Sequence, residues 1–351
     1  MMTKSISKKA GRFSVLTLAV LVAFVIMPAV GYGAQHKEMK LTWAAYIPVG
    51  YPATYECGKV FVDTVNKLGK GIVHIDAYWG GTLLKAKALL PGLRAGTTDF
   101  MFIPNSYILG SYPFLGIQSL PIWKSLSQSY DYLKMGTPLY KLQREVLKKK
   151  NLFQITSGGT LPEFLWTKEK LVRKPADMKG LKIRVSGKIE AKAIHALGAV
   201  PVTIPSAELP QALQRGVVDG CLMNPWTAQG RGVEEYCKYM LITPIASLTL
   251  PIFVLDDKWN SWPEDVRKVI MHAAKYEEVR SYAKEGTICS DYQIESILIP
   301  FYALSGMKPV RLTKKETAAF EKALRPVVDW WVKEVGEDVG KKALTYAGYK
   351  Y

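Results

Sequence analysis

The sequence predicts an α/β fold in two lobes, each a mixed sheet flanked by helices. Three observations carry that expectation. From Met39 onward, short apolar runs with a period of two alternate with amphipathic runs of helical period. Hydrophobic residues make up 48% of the 351, enough to fill two cores. No repeat or low-complexity linker divides the chain, so two lobes sharing chain crossings fit better than two beads on a string.

The elements follow in order. KLTWAAY reads as a strand, YPATYECGKVFVDTVNKLG as an amphipathic helix ended by Gly69, and GIVHIDAYWG as a second strand. LLKAKALLPGLRAG is helical with a break expected at Pro91, and TTDFMFIP returns as a strand, completing βαβαβ. NLFQITSGG, EFLWTK and DMKGLKIRV open a second sheet, and IEAKAIHALG is a helix stopped by Gly198. VPVTIP, the helical SAELPQALQRG and VVDGCLMNP continue it, Pro210 being tolerated in a first turn. YMLITP and LTLPIFVLD are extended and are placed to cross between sheets. After Pro263 helical periodicity runs for about forty residues with a soft interruption at Gly286. MKPVRLT is a short strand, and a C-terminal helix capped by Thr313 or Thr317 is expected to kink near Pro326.

The N-terminus obeys a different rule. Lys4, Lys8, Lys9 and Arg12 precede an uncharged stretch from Phe13 to Gly31, the pattern of a signal peptide over residues 1–33. Its apolar centre, Val15 to Met27, is shorter than the roughly 20 residues a bilayer span needs. Removing those four cations takes the formal charge from +17 to +13, still strongly basic. A basic surface suits nucleic acid, an anionic membrane or acidic small molecules, and export makes nucleic acid the weakest of the three. Cys57, Cys221, Cys237 and Cys289 are too sparse for a stapling framework, and sequence leaves open whether Cys221 and Cys237 pair or stay free.

Familiar catalytic signatures are missing: no GxSxG elbow, HExxH, Walker loop or GxGxxG. His36, His74, His195 and His272 are scattered, and the chain is expected to be no enzyme and to need no cofactor or metal. The exception to this blandness is GLKIRVSG at 180–187. Leu181, Ile183 and Val185 share one face of a strand, Lys182 and Arg184 the other. Arg184 therefore reads either as a solvent-facing arginine or as a cleft arginine at a strand end, its planar fork gripping a carboxylate.

At these residues the chain resembles the substrate-binding proteins of tripartite ATP-independent periplasmic (TRAP) transporters, the dicarboxylate-binding DctP-like family. PADMKGLKIRVSG and HALGAVPVTIPSAELPQALQRGVVDG carry the most specific likeness, and GGTLLKAKALLPGLRAGTTDFMFIP a weaker one. The resemblance implies a type II-like periplasmic binding protein with a hinge and a long helix spanning both lobes. On that frame lobe I takes residues 38–160 with about 250–285, and lobe II takes 161–249 with about 286–351. It implies a periplasmic receptor, most simply a monomer, that closes on a small-molecule organic anion and delivers it to TRAP membrane permease subunits.

The family's carboxylate-gripping arginine falls on Arg184, and Gly187 and Ser206 match other contact positions. In DGCLMNPW, ungapped counting lands on Met223, but Asn224 is favoured because its amide can donate. Many family members carry a second arginine where this chain has Phe164, with Glu163 and Trp166 beside it. Phe164, Trp166, Trp226, Tyr46 and Tyr107 are expected instead to line an apolar or aromatic pocket, with Glu163 among the contacts. That composition slightly favours an apolar or aromatic monocarboxylate over a C4-dicarboxylate or sugar acid. An ABC-importer or chemosensor receptor, or an exported enzyme on the same fold, are the competing readings.

Overall fold

The computed structural model describes residues 36–51, 55–157, 160–282 and 290–351. The predicted signal peptide, Gly286 and Cys289 lie outside the described residues. Eleven strands are present: β1 (Met39–Ala45), β2 (Val73–Tyr78), β3 (Phe100–Phe102), β4 (Phe153–Thr156), β5 (Leu161–Thr167), β6 (Lys182–Val185), β7 (Val200–Thr203), β8 (Gly220–Met223), β9 (Tyr239–Leu248), β10 (Ile252–Val254) and β11 (Lys308–Val310).

They form two mixed sheets flanked by helices. The first has the order β2-β1-β3-β10-β4, with β1 parallel to β2 and β3 while β10 runs antiparallel to both its neighbours. The second has the order β11-β9-β5-β8-β6-β7, in which β6 is parallel to β7 and β8, and β5 is antiparallel to β8 and β9. The chain passes from the first sheet to the second between β4 and β5, and returns between β9 and β10. The two extended runs read before Pro263 therefore do cross between sheets.

Aromatic side chains centre each core. Trp43 stacks on Phe102 with ring centroids 5.3 Å apart in the first, and Trp166 meets Tyr302 edge-on at 4.7 Å in the second. Along the C-terminal helix, Trp331 donates from Nε1 to the Pro113 carbonyl at 3.0 Å. Close packing there leaves no room for a Cβ on Gly116, which would stand 2.7 Å from Trp331 Nε1.

One expected break is absent. Pro91 lies in the first turn of the Leu89–Arg94 helix, where its missing N–H costs no intrahelical bond, so it breaks nothing. The C-terminal helix runs from Lys314 to Val335 with Pro326 inside it and ends at Gly336, whose φ of 95° a side-chain-bearing residue rarely adopts; Glu337–Tyr346 follows as a separate helix. After Pro263 the structure gives a helix over Glu264–Tyr282 and a second helical stretch from Asp291 to Leu304. Among the described residues, no helix is long and apolar enough to cross a membrane. Cys57, Cys221 and Cys237 are buried free thiols, so the Cys221–Cys237 bridge left open by the sequence is not formed.

Candidate functional site

β6 is short and central, with Lys182 exposed at its start and Arg184 near its end, 2% exposed. The alternation read in the sequence is real, but the face opposite Ile183 does not meet solvent at Arg184. It meets a small cavity lined by Tyr46 and Tyr107, which follow strands of the first sheet, as well as by residues of the second. This is the end of a parallel strand pair, where open α/β sheets leave a crevice for ligands.

The Arg184 guanidinium is held by neutral groups. Nε donates to the Ile204 carbonyl at 2.8 Å, one terminal nitrogen to the Leu222 carbonyl at 3.2 Å, and the other to the Tyr107 hydroxyl at 3.3 Å. A guanidinium has five N–H donors, so these three leave one on each terminal nitrogen. Two N–H groups thus remain on a side chain that lines the cavity, the donor type that pairs with a carboxylate. Burial works against the charge, yet the surrounding Tyr107, Glu163, Cys221 and Tyr46 raise the Arg184 pKa overall, and it stays a cation.

Tyr107 belongs to the turn Asn105–Ile108 that follows β3. Its ring stacks on Tyr46, which follows β1, with centroids 5.3 Å apart and hydroxyls 3.0 Å apart. The Ser206 backbone N–H donates to the Tyr107 hydroxyl at 3.0 Å, and Arg231 donates to Ser206 Oγ at 3.2 Å. Burial first, and then Tyr107, push the Tyr46 phenol well above its ordinary range, so it remains a donor. Asn224 caps the Pro225–Gly230 helix: its Oδ1 accepts from the Thr227 N–H at 2.9 Å. That bond commits the amide oxygen and turns the amide nitrogen over to other partners in the cavity wall.

Glu163 enters the same cavity from β5. It is 0% exposed, and neither carboxyl oxygen has a hydrogen-bond partner among the described residues. Behind it stands Glu190, also 0% exposed, from the Lys188–Ala196 helix; Ser186 donates to Glu190 Oε1 at 2.8 Å. Burial, and after it the Glu190 charge, hold the Glu163 carboxyl well above the carboxylate range, against the pull of Arg184. Glu190 is raised too, chiefly by burial.

The structure thus brings together Arg184, Glu163, Tyr46, Tyr107, Ser206, Met223 and Asn224. Phe164, Trp166, Trp226 and Gly187 are not in the cavity wall. Phe164 and Trp166 sit on the far face of β5, because side chains alternate along a strand and Glu163 holds the cavity face. Trp166 Nε1 donates to the Met223 carbonyl at 2.9 Å, and Trp226 Nε1 to Gln293 at 2.9 Å, so both indoles are core and bracing groups. On β5 it is Glu163, and not Phe164, that lines the cavity. Gly187 packs instead against the backbone of Ser106.

Sequence reasoning missed Ser186, Ser106 and Glu190. Ser186 follows the β6 strand end directly and shared its signal. Ser106 and Glu190 reach the site only through the approach of a turn and a helix, which no local pattern records.

The chain matches the model of the DctP family, described as bacterial extracellular solute-binding protein, family 7, over residues 44–334. It is 27% identical over 290 residues to the C4-dicarboxylate-binding periplasmic protein DctP of Rhodobacter capsulatus, covering 79% of this chain and 82% of that one. Among solved structures it is similar to an extracytoplasmic solute receptor of Bordetella pertussis binding pyroglutamic acid, with TM-score 0.75, 22% identity, and coverage of 88% and 99%. A TRAP periplasmic solute-binding protein of Sulfurospirillum deleyianum with bound succinate superposes with TM-score 0.77 at 20% identity, again covering 88% and 99%. The chain therefore belongs to family 7 of the bacterial extracellular solute-binding proteins, the DctP-like receptors of TRAP transporters, which bind solutes and are not enzymes.

Proposed function

We propose that this protein is the periplasmic receptor of a TRAP transporter, that it closes on a small organic carboxylate between its two sheets, and that it delivers the anion to a membrane permease. One observation carries the reading: Arg184 is a buried cation that lines the cavity, its hydrogen-bond partners are all neutral, and two of its five N–H groups are left over. A buried charge is costly unless paired, and a ligand carboxylate supplies the missing partner. The Asn224 amide supports the same anion from a neighbouring wall. Relatives whose names or bound molecules include C4-dicarboxylates, 2-oxoacids, pyroglutamate and succinate support a carboxylate as the shared chemistry.

The cavity is narrow in this structure, which favours a compact acid. The predicted N-terminal signal suits an exported, periplasmic receptor working as a monomer. A thermal-shift screen over small organic acids tests the reading, because a ligand that binds only the folded form raises Tm. Acids that stabilise the wild type are expected to leave Arg184→Ala unshifted. An equal shift in both proteins would overturn it.

A further inference from the structure

We infer that the second recognition group of this cavity is Glu163, and that it takes a hydrogen-bond donor on the ligand, so the solute is a small carboxylate bearing an N–H group rather than a plain monocarboxylate or a dicarboxylate. The inference builds on the proposed carboxylate site at Arg184. It starts from an accounting of acceptors. Glu163 is wholly buried and lines the cavity, and both its oxygens, together with Glu190 Oε2, lack a donor among the described residues. Buried polar atoms are rarely left that way.

A proton shared between the two carboxyl groups accounts for one oxygen of each. Two buried carboxylates side by side cannot both ionise, and the groups facing them from the surrounding elements, Arg184 on β6, Cys221 on β8 and Ser186 beyond β6, supply one cation and no second. Of the pair, Glu190 already accepts from Ser186, which favours it as the ionised partner. Glu163 is then left with one oxygen that nothing among the described residues satisfies, on the cavity side.

Arg184 and Glu163 reach the cavity from strands separated by β8, so they define two ends of a ligand: an anion at one, a donor at the other. A dicarboxylate would set its second negative charge against an acceptor. A hydrocarbon acid would leave that acceptor buried and unpaired. An amino, imino or lactam acid satisfies both ends at once.

The test compares three five-membered-ring acids of nearly equal size by calorimetry on the purified protein: cyclopentanecarboxylate, which has no donor, pyroglutamate, which has a neutral N–H, and proline, which has a charged one. At least one N–H acid is expected to bind ten times more tightly than cyclopentanecarboxylate. Glu163→Leu should erase that preference, while Glu163→Gln, which can donate to Glu190 and still present an oxygen, should keep it, circular dichroism confirming that both variants fold. Cyclopentanecarboxylate binding within threefold of the better N–H acid would overturn the inference, as would a preference that survives Glu163→Leu, or no binding by any of the three. If the preference is absent while Arg184→Ala still abolishes binding of cyclopentanecarboxylate, Glu163 loses its role and the carboxylate site keeps its own.

Discussion

The Ser106 and Ser186 hydroxyls meet at 2.9 Å, the first in the turn after β3 of one sheet and the second at the end of β6 of the other. Beside them, a Cβ added to Gly187 would stand 2.2 Å from the Ser106 carbonyl oxygen. The backbone of Gly187 is extended, at φ −159°, so any residue could adopt it. What demands glycine there is the approach of the two sheets.

Gly187→Ala is accordingly a closure variant. The unliganded protein should fold with a Tm within a few degrees of the wild type, because the clash is relieved by opening. Ligand affinity should fall at least tenfold, about 1.4 kcal/mol. Small-angle scattering should show the wild type, but not the variant, contracting when ligand is added. A variant that contracts and binds normally would show that the contact does not limit closure.

Arg184→Ala removes the anion's partner. Truncating one member of a buried, hydrogen-bonded charge pair costs roughly 2–5 kcal/mol, so carboxylate affinity measured by calorimetry should drop at least tenfold while circular dichroism stays unchanged. Arg184→Lys should not rescue it. One ammonium cannot hold the Ile204 and Leu222 carbonyls and also present two parallel N–H groups.

Cys221 and Cys237 supply a chemical check on the core. Burial pushes the Cys221 thiol up strongly and takes Cys237 to about 12, so neither should exist as a reactive thiolate near neutrality. Iodoacetamide at pH 8, followed by peptide mapping, should label these two positions only after denaturation. Labelling of either in the native protein would show that β8 or the segment before β9 opens readily.

How much of this was legible beforehand depends on how far each feature reaches. Arg184 could be read because strand alternation and strand-end position are local, and the KGLKIRVSG block carries both. Asn224 came from the resemblance and from the donor capacity of its amide, while its helix-capping role shows only in the folded chain. Phe164 was misread because counting along β5 fixes a position to within one residue, and in a strand one residue reverses the face. The pairing of β5 with β9 adds to this difficulty: its register jumps from Ala246 to Leu241 between Glu163 and Leu165, an irregularity that no periodicity announces. The helix end at Gly336 has no strong local signal, because a lone glycine inside a helical pattern is tolerated and its backbone angle is displayed only by the folded chain. Glu190 was invisible because its role comes from a helix docking behind β5.

The buried carboxyl pair gives the last prediction, a stability profile with an unusual sign. Burial, then Glu190, raise the Glu163 pKa in the folded state, while in the unfolded chain it titrates near its ordinary 4.5. Below that pH both states are protonated and the group is neutral for stability. As pH rises through 4.5 the unfolded chain loses its proton first, so the folded state is progressively disfavoured until pH passes the raised folded value. Glu190, raised in the same direction, adds to the slope. Glu316 acts oppositely: Arg173 holds it down at about 2, so its contribution is lost as pH falls toward that value. The Glu163 effect must therefore be read as a difference. Glu163→Gln should melt within error of the wild type near pH 4 and become the more stable protein as pH rises toward 8. Each kcal/mol should be worth at most about 2–4 °C, the span for domains of about 150–250 residues, in this longer chain. Melting curves for both proteins across pH 4–8 in the absence of ligand measure it. A constant gap across that range would mean that Glu163 is ionised in the folded protein and that no proton is shared with Glu190.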